Sequence, residues 1–129
     1  MRVSELTGIA LDYAVALAEK ELIKLDPMGF KKEDPTISLC GYWIWDDAKG
    51  LGNARFMLIG REYSPSTNWS QGGAIIEREK INLHYTDDQW EADTSADCFG
   101  FGGTILKAAM RCYLVSKFGE EIDIPEVLQ

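Results

Sequence analysis

No stretch of this chain approaches the roughly 18 consecutive apolar residues of a membrane-spanning helix, so no membrane association is expected. The opening Met1-Arg-Val-Ser-Glu-Leu-Thr7 passes directly into a polar-interrupted pattern and lacks the continuous apolar core of a signal peptide. A cytoplasmic location is the expectation. Asn68-Trp69-Ser70 fits the glycosylation pattern, but without a secretion signal the match is accidental. Cysteine is sparse. Cys40, Cys98 and Cys112 are an odd number at wide spacing, which suits neither a disulfide framework nor a thiolate metal site. Buried free thiols in a reducing compartment are expected. His84 is the sole histidine, so no multi-histidine metal site can form, and neither metal nor cofactor is expected. A nucleophile elbow and a triad signature are also missing, which counts against an enzyme and assigns no catalytic residue. Basic residues are outnumbered, 13 against 21 acidic, and the formal charge of -8 repels phosphate backbones. No direct nucleic-acid binding is expected. A basic partner protein, or mimicry of nucleic acid toward a DNA-binding protein, remains compatible with that charge.

What the sequence does contain suits a single domain over residues 1–129, with 46% hydrophobic and 26% charged residues. A chain this long buries roughly two thirds of its unfolded surface. Ser4 caps an expected helix whose stripe Leu6, Ile9, Ala10, Tyr13, Ala14, Leu17 extends to about Leu22–Leu25, where Asp26-Pro27 stops it. A connection follows to residue 35. Ile37, Leu39, Gly41, Trp43 and Trp45 alternate with Ser38, Cys40, Tyr42, Ile44 and Asp46 as in a strand, and residues 46–50 punctuate it. Arg55–Ile59 is a second apolar run too short to separate strand from buried helix by periodicity, and strand is the favoured reading. Ile81, Leu83 and Tyr85 lead through Thr86-Asp87-Asp88-Gln89 into Trp90-Glu-Ala-Asp93, a hairpin around an acidic turn. Residues 97–103 read as a glycine-rich loop. Thr104 caps a helix over Ile105–Phe118, with Lys117 in its last turn and Gly119 as a left-handed cap. The acidic tail carries Pro125, which argues against continuation. The expected fold is α+β: a small, mainly antiparallel sheet flanked by an N-terminal and a C-terminal helix. Tyr42, Trp43 and Trp45 exceed what one sheet face needs, which suggests a homodimer, although core packing can also absorb them.

The segment Tyr63-Ser-Pro-Ser-Thr-Asn-Trp-Ser-Gln-Gly-Gly73 holds no charge between Arg61-Glu62 and Glu77-Arg78-Glu79. Pro65 sets a turn, Ser66, Thr67 and Asn68 bond locally to the backbone, and Gly72 and Gly73 permit close approach. Hydroxyl, amide and exposed N–H donors hold a phosphate, ribose or carboxylate without net positive charge. Tyr63 and Trp69 either stack on a base or anchor an ordinary loop. Phe99-Gly-Phe-Gly-Gly-Thr104, opening into a helix, is a second anion candidate and a second wall for the same site. It lacks the P-loop lysine and the G-x-G-x-x-G spacing, so a simple flexible N-terminal cap is the favoured explanation. Arg111, two turns on, shares a face with Thr104 and either reaches a ligand or pairs with an acid. Glu77 and Glu79 share a face only if extended, with Arg78 as a guanidinium clamp; a helical turn separates them, and solvated surface charges are the favoured explanation of all three.

Ser4-Glu-Leu-Thr-Gly-Ile-Ala-Leu-Asp-Tyr-Ala-Val-Ala16, the stretch from Tyr63 to Glu79, and Ala108-Ala-Met-Arg-Cys-Tyr-Leu-Val-Ser-Lys-Phe-Gly119 resemble the NinX family of tailed-phage accessory proteins. The match runs from end to end. It implies a phage or prophage origin and supplies no catalytic residue, the family's function being unknown. That setting favours a binding role. The leading expectation is a small anionic or nucleotide-like ligand, such as a sequestered host signalling molecule, held by Tyr63, Ser64, Ser66, Thr67, Asn68, Trp69, Gly72, Gly73 and Thr104. Arg78 and Arg111 are the expected charge partners. The alternatives are an acidic module inhibiting a host DNA-binding protein and, third, a hydrolase using Glu77 or Glu79.

Overall fold

A computed structural model describes residues 1–27, 41–47 and 54–129. Its order is α1 (Gly8–Ala18), β1 (Ile23–Leu25), β2 (Tyr42–Asp46), β3 (Arg55–Leu58), α2 (Trp69–Glu79), β4 (Asn82–Thr86), β5 (Gln89–Asp93), β6 (Phe99–Gly102) and α3 (Ile105–Phe118). The fold is α+β. The strands form two antiparallel sheets, β1-β2-β3 and β4-β5-β6, and a third helix joins the two expected from sequence. No helix among the described residues is long and apolar enough to cross a membrane.

The N-terminal helix is shorter at both ends than its hydrophobic stripe predicts. Val3–Glu5 is a separate 3-10 turn, and α1 begins only after an extended Leu6 and Thr7. The Leu6 carbonyl, which a continuous helix would spend on Ala10, instead accepts the Arg111 Nε and Nη2 at 3.1 and 2.9 Å. At the other end Lys20 turns left-handed at φ 58°, and the Glu21 amide closes on the Ala16 carbonyl at 3.1 Å. That bond has the six-to-one span of a Schellman end. Ile23–Leu25, the last turn of the expected helix, becomes β1 because Tyr42–Ile44 offers it a ladder that local spacing cannot reveal. Residues 37–40 of the expected strand, Cys40 included, lie outside the described residues. β2 and β3 confirm the remainder, with Ile44 fully buried and Tyr42 edge-on to Tyr13 of α1, ring centroids 5.0 Å apart. Trp43 and Trp45 occupy the opposite face, where Trp45 tilts on Phe56.

The acidic hairpin is also as expected: Asp87 and Asp88 both take positive φ, as a two-residue primed turn requires, and fix Tyr85 opposite Trp90. Phe99–Gly102, by contrast, is a strand and not a loop. Its glycines face α3 so closely that a Cβ on Gly100 would overlap the Ala108 carbonyl and the Cys112 amide. Here glycine marks the close approach of a helix to a sheet. Thr104 caps α3, its Oγ accepting the Lys107 amide at 3.1 Å. Gly119 follows with φ 82° and ψ -155°, so it ends the helix without the left-handed cap expected of it. Cys98 and Cys112 are free thiols; only Cys112 is buried, which pushes its pKa up to about 12.

Candidate functional site

Three helices begin at one cavity. It measures about 600 Å³ and is lined by Thr7 and Gly8 at the start of α1, Trp69 at the start of α2, and Thr104, Ile105, Leu106 and Lys107 at the start of α3. Ser66, Thr67, Trp90 and Gly103 complete the wall. Unsatisfied first-turn amides and the aligned peptide dipoles give each helix start roughly half a positive charge. Thr7 makes no side-chain cap to α1, so the Gly8 and Ile9 amides keep no protein acceptor among the described residues. Thr104 accepts the Lys107 amide of α3 and Asn68 the Ser70 and Gln71 amides of α2, which leaves the amides of Ile105, Leu106 and Trp69 without an acceptor among the described residues. Lys107 adds a full positive charge on the same rim. A chain that is acidic as a whole thus presents a mainly apolar concavity whose polar groups are helix-start amides, the hydroxyls of Thr7, Ser66, Thr67 and Thr104, and the Lys107 ammonium.

The loop over 63–68 is a structured support, and its parts divide by task. Tyr63 is buried against the core, which raises its phenol pKa. The Ser64 amide donates to Gln71 Oε1 at 2.6 Å, and Gln71 Nε2 reaches the Glu62 carbonyl at 2.7 Å. Ser66 is buried at the cavity wall, its amide donating to Asp12 Oδ1 at 2.9 Å. Thr67 Oγ1 leans back on the Ser64 carbonyl at 3.4 Å. Asn68 is consumed as the α2 cap, accepting from Ser70 and Gln71 amides at 2.8 and 3.3 Å.

Of the residues expected at the site, Ser66, Thr67, Trp69 and Thr104 line this cavity together. Tyr63, Ser64 and Asn68 stand behind it as loop and helix supports. Gly72 and Gly73 are helical, not loop, residues. A Cβ on Gly72 would overlap the Pro65 carbonyl, so its bareness lets α2 cross the loop. Arg78 is nine residues from Trp69 along α2, about 13 Å of helical rise. It grips Glu19 through Nη1 and Nη2 at 2.9 and 2.7 Å and Glu79 through Nε at 2.8 Å. Glu19 also accepts the Tyr113 hydroxyl, and its pKa is lowered mainly by the Arg78 hydrogen bond. Arg111 turns away, donating Nη1 to the Phe101 carbonyl at 2.7 Å and lining a second, smaller cavity beside β6. Glu77 and Glu79 lie two residues apart on a helix, which puts them on opposing sides and removes the paired-acid geometry.

Several residues of this arrangement carry little sequence signal. Thr7, Gly8, Trp90 and Lys107 come from three separate elements, and only Lys107, three residues after the Thr104 cap, is readable by spacing. Asp12 is a single acid inside the otherwise apolar Gly8–Ala18, and that contrast is its only mark. His84, Glu91 and Asp93 meet across the β4–β5 ladder, with donor atoms within 4.8 Å of one another.

No curated protein matches the chain. The profile of the family described as Bacteriophage P22, NinX matches residues 2–117, nearly the whole of the 129. That span takes in all three helix starts and both sheets, and the chain belongs to this phage protein family.

Proposed function

We propose that this protein is a phage accessory factor that binds, and does not turn over, a small anionic or nucleotide-like ligand in the cytoplasm of the bacterial host. The observation that carries this is the convergence of three helix N-termini and Lys107 on one cavity. The anionic group sits at the open amides of α1 and α3, beside the Thr7, Thr67 and Thr104 hydroxyls. Trp90, half-buried, and Trp69, 58% exposed, line the same cavity and supply aromatic surface for a planar base or other apolar body. Sequestration of a host signalling molecule is the role such a site fits.

Native mass spectrometry of protein purified from the host, with thermal unfolding against a panel of mononucleotides, dinucleotides and phosphorylated metabolites, tests this. Ligand at 100 times its Kd stabilises by about 2.7 kcal/mol, a shift of roughly 8–13 °C. Lys107→Ala and Trp69→Ala should each shrink that shift while leaving the unliganded melting temperature near wild type. Absence of both a mass adduct and a stabilising compound counts against the reading.

A further inference from the structure

A second site lies on the other face of the β4-β5-β6 sheet. We propose that His84, Glu91 and Asp93 bind a first-row divalent transition-metal ion, with Zn²⁺ the best fit to the donors. His84 stands opposite Glu91 in the ladder and Asp93 is the next same-face residue along β5, so all three project from one surface. His84 Nε2 lies 3.2 Å from Glu91 Oε2, and Nδ1 lies 3.8 Å from Asp93 Oδ2. Asn82, opposite Asp93, donates Nδ2 to Asp93 Oδ1 at 3.1 Å and leaves Oδ2 turned toward the imidazole. That is the orienting bond a metal-binding carboxylate requires from its surroundings. Phe101 and Phe99 stand opposite Glu91 and Asp93 on β6, so two phenyl rings border the carboxylates on that side.

The donor chemistry selects the ion. One imidazole nitrogen with two carboxylate oxygens suits Zn²⁺ and its first-row neighbours, whereas Mg²⁺ and Ca²⁺ prefer all-oxygen sets. A modest side-chain rearrangement draws the three donors around one ion, which exchanges two cross-strand imidazole–carboxylate contacts for coordination. Three protein ligands leave a fourth position to water or to a donor from another molecule. The half-exposed His84 makes the site exchangeable with solution. Trp90 points to the opposite face, into the helix-start cavity, so the metal site is separate from the proposed ligand site.

Because His84 is the sole histidine, its imidazole resonances report on the site without ambiguity. Untagged, metal-stripped protein titrated with Zn²⁺ should show those resonances moving to saturation at one equivalent. Calorimetry should give one-to-one binding that weakens at least about tenfold in His84→Ala and in the shape-conserving Glu91→Gln. Mg²⁺ at the same concentration should leave the resonances in place. Unmoved resonances overturn the proposal and leave imidazole–carboxylate contacts only. Zn²⁺ binding unchanged in His84→Ala also overturns it, assigning the ion to the cysteines, and an equal response to Mg²⁺ removes the imidazole from the coordination.

Discussion

Asp12 is buried on α1 between Leu11 and Tyr13, with the Ser66 amide donating to Oδ1. Burial, partly offset by that bond, raises its pKa from 3.8 to about 6. The folded chain therefore holds a proton on Asp12 more tightly than the unfolded chain does. Its contribution to stability is complete below about pH 4 and is lost as pH rises through about 6, a total near 3 kcal/mol. Asp12→Asn cannot titrate and keeps an acceptor for Ser66. Urea unfolding of both proteins between pH 4 and 7 should show wild type losing stability relative to the variant by about that amount, most steeply from 4 to 6. A constant difference across the range would mean that Asp12 ionises freely in the folded state. The residue was legible only as an oddity. Sequence marks an acid in an apolar helix, but the partner that keeps it there lies 54 positions away.

The first turns of α2 explain why this helix was hidden in what reads as a loop. Asn68 is a good cap, yet two adjacent glycines inside the first two turns cost about 1 kcal/mol each in helix propensity, and periodicity reasoning discounts such a stretch. Tertiary contact overrides propensity at Gly72, where any Cβ meets the Pro65 carbonyl, but not at Gly73, whose Cβ would lie an ordinary 3.6 Å from the Trp69 ring. The two positions should therefore respond with opposite sign. Gly72→Ala should lose about 1–3 kcal/mol through overpacking, and Gly73→Ala should gain about 0.5–1 kcal/mol through propensity. Chemical denaturation of the pair checks this, and equal effects would refute the close crossing of α2 over residue 65. β6 reads as loop for the same reason: Gly100 and Gly102 resemble loop residues until α3 is laid against them. By contrast the span and N-cap of α3 and the Asp87-Asp88 hairpin are readable, because cap, period and turn are all local, although Gly119 closes α3 without the left-handed cap.

Across the whole molecule the helices run from the cavity to a common hub, where Glu19 ends α1, Arg78 lies in the last turn of α2, and Tyr113 belongs to α3. The Arg78 guanidinium also lies 5.7 Å from the Tyr113 ring centroid. Sequence placed Arg78 near the polar segment because only ten residues separate it from Asn68, but helical rise carries it to the far end. Ser66, Thr67 and Trp69 are legible as parts of one uncharged polar segment and Thr104 as a helix cap; the meeting of α1 and α2 with that cap is not, since nothing local encodes it. The hub and the cavity should therefore separate in one experiment. Arg78→Ala removes a half-exposed bidentate pair worth about 1 kcal/mol, which lowers the melting temperature by roughly 3–5 °C. The stabilisation added by a cavity ligand should survive, because no cavity group is touched. Lys107→Ala should do the reverse, leaving the unliganded melting temperature in place and cutting the ligand increment. If Arg78→Ala abolishes the increment while Lys107→Ala spares it, the anion lies at the hub, and the three helix starts serve only to close the fold.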